Sequence, residues 1–67
     1  MEEAKLNAKG IAVVVDFFFR KYANNVQFNI MDVGKVMAAA ENILVVGGKV
    51  KDAEAAMLVA IEKYKVN

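Results

Sequence analysis

The feature that most limits the possible folds of this chain is its scarcity of helix-breaking residues. The sequence contains no proline and four glycines, of which only Gly47 and Gly48 are adjacent. Because proline and glycine are the strongest breakers of helices, their scarcity favours a few long elements. A second break is expected at Asn24 and Asn25, since asparagine tolerates the left-handed conformation that ends many helices. The chain therefore divides into three segments.

The first segment, residues 2–23, has the periodicity of a helix. Apolar side chains recur on one face in the pattern of a stripe that packs into a core, at Ala4, Ala8, Ile11, Val15, Phe18 and Tyr22. Elsewhere on the helix, Asp16 precedes Arg20 by four residues, the order that favours a helical ion pair. We predict a solvated salt bridge between these two side chains.

The same segment has a second apolar face. Its residues are spaced like successive turns of a helix, and a helix that is apolar on two sides needs a partner on each. Aromatic side chains are typical anchors of protein interfaces. We therefore predict a dimer interface composed of Leu6, Gly10, Val13, Phe17 and Phe19.

Helical patterns also span most of the second and third segments. Residues 26–30 alternate between apolar and polar, which indicates an extended connector or a short strand. A helix capped by Asn29 is expected to run to about Val45, with an inward stripe of Val33, Val36, Met37, Ala40, Ile43 and Leu44. Another helix, capped by Asp52, is expected over residues 53–66, with an inward stripe of Ala53, Met57, Ala60, Ile61 and Tyr64.

Gly47 and Gly48 allow two interpretations. They can stop the second helix, with Gly47 at positive φ, or they can form the turn of a β-hairpin that joins residues 43–46 to residues 49–51. We favour the helix stop, which predicts an all-α fold: a compact, dimeric three-helix domain over residues 1–67. The hairpin would instead give an α+β fold similar to a winged helix.

The apolar load supports the expectation of a dimer. The chain has 67 residues, enough for one domain, and 58% of them are hydrophobic. Small domains bury a smaller share of their surface than large ones, and without cysteine or histidine neither a disulfide nor a conventional zinc site can help. A second chain is therefore expected to cover part of the apolar surface.

The residue types argue against catalysis. There is no serine, threonine, cysteine or histidine, and the only hydroxyl groups belong to Tyr22 and Tyr64. Nucleophilic catalysis usually needs an activated hydroxyl or thiol with a base beside it. We predict no enzymatic activity, no catalytic residue, no cofactor or metal site and no small-molecule substrate.

Charge and hydropathy give no membrane or nucleic-acid signal. The formal net charge is +1, and acidic and basic residues are interleaved, so no basic stripe favours nucleic acid. The longest apolar run, residues 11–19, is broken by Asp16 and is too short to span a bilayer. The chain starts with Glu2 and Glu3 rather than the basic residues of a secretory signal. A cytoplasmic location is expected.

Three functional hypotheses follow from these observations. The first is a non-catalytic protein-interaction or regulatory module that self-associates through its first helix. The second is a small helix-turn-helix or winged-helix-like DNA-binding regulator, because residues 28–37 resemble the first helix of such proteins. Against this hypothesis, three alanines followed by Glu41 and Asn42 occupy the place where a recognition surface is needed. The third is a scaffold or assembly factor in a larger complex.

Overall fold

The structure, a computed structural model, describes residues 7–66 as three helices. These are α1 (Ala8–Ala23), α2 (Ile30–Val45) and α3 (Val50–Tyr64). No strand occurs in this part of the chain. The predicted all-α, three-helix fold is confirmed.

The first helix starts later than the periodicity predicts. Asn7 has an extended backbone, and its side-chain oxygen accepts a hydrogen bond from the backbone N–H of Gly10 at 2.8 Å. This N-cap fixes the start of α1 at Ala8, so the prediction of one unbroken helix through residue 7 is wrong. Residues 1–6, including Ala4 and Leu6, lie outside the described part of the chain.

The end of α1 is placed correctly, but the predicted mechanism is wrong. Asn24 has a right-handed backbone, with φ of −55°, and no residue other than glycine has a positive φ between residues 7 and 66. Instead, the backbone N–H of Val26 donates to the carbonyl oxygen of Ala23 at 3.1 Å and closes a tight turn. The helix therefore ends without a left-handed asparagine.

The segment that follows this turn is an extended connector rather than a strand in a sheet. Its Phe28 forms a single antiparallel bridge with Lys65. Beside this bridge, the backbone N–H of Val66 donates to the carbonyl oxygen of Gln27 at 2.8 Å. These bonds hold the residues after α3 against the connection between α1 and α2.

The two glycines stop α2, as the favoured interpretation predicts. Gly47 has a φ of 87°, and its N–H donates to the carbonyl oxygen of Leu44, while the N–H of Gly48 donates to that of Ile43. This pair of bonds is the Schellman motif that ends many helices. A Cβ at position 48 would lie 2.5 Å from Cγ2 of Ile43, so this position also requires glycine for space. The hairpin alternative is excluded because Val50 already belongs to α3.

The third helix starts earlier than predicted. Lys49 occupies the N-cap position, and Asp52 lies within the first turn instead of capping the helix. An acidic side chain stabilises the positive end of a helix from either position, so the sequence signal for the two is nearly the same. The prediction that α3 begins at residue 53 is therefore wrong by one turn.

The core lies mainly between α2 and α3, which pack against each other more closely than either packs against α1. Four side chains have no exposed surface, and they are divided equally between these two helices: Val36, Ala40, Ala53 and Met57. The inward stripes predicted for α2 and α3 are confirmed, since every member is buried or half-buried. No polar or charged side chain is buried within residues 7–66.

Candidate functional site

The candidate site is the face of α1 that points away from the other two helices. One face of α1 enters the core through Ile11, Val15 and Phe18. On the opposite side, Val13 is 64% exposed and Phe17 is 59% exposed. The two side chains are one helical turn apart and lie in the middle of the helix. Together with Gly10, they are called the outer surface below.

Phe17 is held in place although most of its ring is exposed. Its ring lies 5.9 Å from that of the buried Phe18, centroid to centroid, at an angle of 57°. On another side, the ammonium group of Lys21 lies 5.9 Å from the centroid of the Phe17 ring. The ring is thus supported by its own chain and still presents apolar surface to solvent.

The predicted interface residues do not all belong to this surface. Phe19 is half-buried, and its ring lies 5.9 Å from the ring of Phe28 in the α1–α2 connector. Because this contact is made within one chain, Phe19 is not part of the outer surface. Leu6 lies outside the described residues. Gly10 is half-buried and lies on the same side of α1 as Phe17.

Charged side chains border the outer surface. The guanidinium Nε of Arg20 lies 3.0 Å from a carboxylate oxygen of Asp16, and this confirms the predicted salt bridge. The two side chains are 79% and 51% exposed, respectively, so the pair is solvated and adds only a few tenths of a kcal/mol to stability. Lys9, one turn before Val13, is also exposed.

Other large apolar side chains are also exposed, but most lie at the ends of helices. They are Ile30 and Met31 at the start of α2, Val45, Val46 and Val50 around the glycine turn, Leu58 and Val59 within α3, and Val66. Within α3, Leu58 and Val59 are neighbours in sequence and therefore point about 100° apart. Only on α1 do two such residues stack one turn apart and include an aromatic ring, as an interface anchor requires.

The four lysines at the two ends of α3 do not form a single patch. Lys49 and Lys51 lie at the start of α3, and Lys63 and Lys65 lie at its end. Twelve residues of helix separate Lys51 from Lys63 by about 18 Å. Lys65 is also paired with Glu62 at 3.2 Å. The arrangement lacks the continuous basic surface that is typical of nucleic-acid binding.

The one hydrogen bond between side chains of different helices joins α1 to α3 within the described residues. There the half-buried hydroxyl of Tyr22 donates a hydrogen bond to the carboxylate of Glu54. The sequence gives no sign of this pair, because the two residues are 32 positions apart and meet only through the packing of the helices. We assign it a structural role, since it attaches α1 to the α2–α3 pair.

Residues 7–66 contain neither a metal-ligand group nor a membrane-spanning helix. No group of three or more acidic side chains is placed to hold a metal ion. None of the three helices combines the length and the apolar character needed to cross a membrane.

Comparison with known proteins gives no relative for this chain. No protein-family model matches it, and neither the curated proteins nor the solved structures contain a significant match.

Proposed function

We propose that this chain is a non-catalytic, cytoplasmic protein-interaction module that self-associates through the outer surface of α1. The observation that carries the proposal is the exposure of Val13 and Phe17, which are both more than half open to solvent in the middle of a helix. A protein that keeps an aromatic ring at such a position loses the free energy that burial would give. A second copy placed on this face recovers it.

The symmetry of a dimer strengthens this effect. In a twofold pair each chain contributes the same residues, so Val13 and Phe17 are both buried twice. Complete burial of a phenylalanine or valine side chain is worth roughly 1.5–3 kcal/mol. Association also costs several kcal/mol of translational and rotational freedom, and the contact area of a single helix face is small. We therefore expect a reversible dimer of moderate affinity.

Such a dimer suits a regulatory role. When the dissociation constant is close to the working concentration, a modest change in protein level shifts the balance between monomer and dimer. The exposed apolar residues on α2 and α3 lie outside the proposed interface, so we expect them to stay accessible in both the monomer and the dimer. The module can then present those surfaces once or twice, depending on its concentration.

The test is sedimentation of the 7.3 kDa chain at micromolar and higher concentrations. We expect the mass to approach that of a dimer as the concentration rises. Phe17→Asp should shift the population to monomer, because a buried, unpaired carboxylate at the interface is costly. Far-UV circular dichroism should show unchanged helicity, since Phe17 is already largely exposed within one chain.

Val59→Asp provides the matched control. Val59 is 67% exposed on α3, so the substitution adds the same charge at a comparably open apolar position. It should leave the dimer intact. A wild-type chain that stays monomeric at all concentrations contradicts the proposal. Retention on duplex DNA that weakens as salt increases would favour the DNA-binding hypothesis instead.

A further inference from the structure

We infer that the two subunits pair their α1 helices antiparallel, with a twofold axis that passes between Ala12 and Val13. This inference rests on the proposed self-association and specifies the partner as a second copy in one orientation and one register. It is carried by the way charged and apolar residues are distributed across the outward half of α1.

The outward half of α1 is divided lengthwise. Successive residues of a helix are 100° apart, so Val13 lies close to the centre of this half. Lys9, Asp16 and Arg20 all fall on one side of Val13, and Gly10 and Phe17 fall on the other. The helix therefore presents a charged strip and an apolar strip that run side by side.

This division selects the antiparallel orientation. In an antiparallel twofold pair, each side of one helix faces the same side of the other, so the apolar strips meet and the charged strips meet. In a parallel twofold pair the sides are exchanged, and Phe17 would face the partner's charged strip. The second arrangement places the carboxylate of the partner's Asp16 close to the ring of Phe17, and removing this anion from water against the negative face of a ring is costly.

The charges on the strip also select the register. Arg20 already pairs with Asp16 of its own chain. Lys9 and Asp16 also have opposite signs, and the midpoint between them lies between positions 12 and 13. With the axis at this midpoint, Lys9 lies level with the partner subunit's Asp16, and symmetry repeats the pair. Asp16 uses one carboxylate oxygen to pair with Arg20 of its own chain. Its second oxygen can accept a hydrogen bond from the ammonium group of the partner's Lys9.

The same register fits the apolar strip. Gly10 of the partner subunit then lies about 3 Å along the helix axis from Phe17, so the absence of a side chain there leaves room for the ring. Val13 packs against its own copy beside the axis. The placement selected by the charges therefore also brings the apolar strips together.

The test uses two single charge reversals, Lys9→Glu and Asp16→Lys, measured alone and as an equimolar mixture. In each variant alone, both symmetric pairs change from attraction to repulsion, so we expect each to dimerise about tenfold more weakly than the wild type. In the mixture, each contact again joins opposite charges. We expect the mixed dimer to regain wild-type affinity and to dominate in native mass spectrometry.

Three further variants complete the design. Lys51→Glu and Glu41→Lys change the net charge by the same amounts at exposed positions on α3 and α2, and they should leave dimerisation unchanged. The double variant Lys9→Glu/Asp16→Lys exchanges the two charges within one chain and should pair with itself as the wild type does. Circular dichroism verifies that every variant stays helical.

The outcomes separate this inference from the proposed function. A wild-type chain that never dimerises overturns both. A wild-type dimer that persists in both single variants, with no preference for the mixed species, overturns the antiparallel register alone. Weakened single variants whose mixture stays weak also contradict it, because the two positions then do not face each other.

Discussion

The three helices are of nearly equal length and similarly apolar, yet α1 uses its apolar residues differently from the α2–α3 pair. The α2–α3 seam contains side chains with no exposed surface, such as Val36 and Met57. The most buried residues of α1, such as Val15 and Phe18, retain 4% and 7% exposure. Only on α1 does an aromatic side chain, Phe17, stand more than half exposed.

The connections between the helices account for part of this difference. The Schellman turn at Gly47 reverses the chain within residues 46–49, so α2 and α3 become immediate antiparallel neighbours. The extended connector between α1 and α2 is longer and pairs with the residues after α3 instead. In our proposal, the α2–α3 pair supplies most of the stability, and α1 supplies the surface for association.

The largest expected effect is at the α2–α3 seam. Met57→Ala should lower the free energy of unfolding by about 3 kcal/mol, because it removes a completely buried side chain and leaves a cavity. Val15→Ala on α1 should cost about 1.5 kcal/mol, since less apolar volume is removed. Urea denaturation of dilute protein measures both, and Met31→Ala, at an exposed site, should have almost no effect. Equal losses at positions 57 and 15 would show that the α2–α3 seam does not contribute more stability than the core face of α1.

A smaller effect is expected where the helices are connected. Gly47→Ala should cost about 1 kcal/mol, because a residue with a Cβ is strained at a φ of 87°. The counterpart in the α1–α2 connection is Asn24→Ala, which should be nearly neutral because Asn24 has a right-handed backbone. Thermal denaturation of the two variants compares the turns directly. A comparable loss of stability at both positions would show that the two connections restrict the backbone equally.

The smallest effect concerns the attachment of α1 to α3. Tyr22→Phe removes the hydrogen bond to Glu54 and should cost about 0.5 kcal/mol, because the contact is only half-buried. The loss should disappear when the substitution is made in a Glu54→Ala background. A double-mutant cycle by urea denaturation gives this coupling. A coupling of zero would mean that α1 is held by apolar packing alone.

Most of the fold could be predicted from local patterns. The stripes of α2 and α3, the helix stop at Gly47 and the ion pair between Asp16 and Arg20 each depend on residues close together in sequence. The starts of α1 and α3 were harder to predict. At Asn7 the capping signal is present, but the apolar periodicity continues through it. At Asp52 an acidic residue is favourable both as a cap and within the first turn.

The candidate site was predictable only in part. Periodicity identifies Gly10, Val13 and Phe17 as a separate face of α1, because it depends on helix geometry alone. It does not show which neighbouring aromatic side chain finds a partner within the chain. Phe19 packs against Phe28, and Tyr22 meets Glu54, only because the connector and α3 are placed there by the fold. Such long-range contacts leave no trace in local sequence.

The most direct test of the central claim, that a second chain covers the outer surface of α1, is a dilution series followed by two-dimensional amide NMR. We predict that the amide signals of Val13 and Phe17 shift with concentration, while those of Leu58 and Val59 on α3 stay constant. Signals of α1 that do not move at any concentration, or concentration-dependent shifts confined to α3, would contradict it.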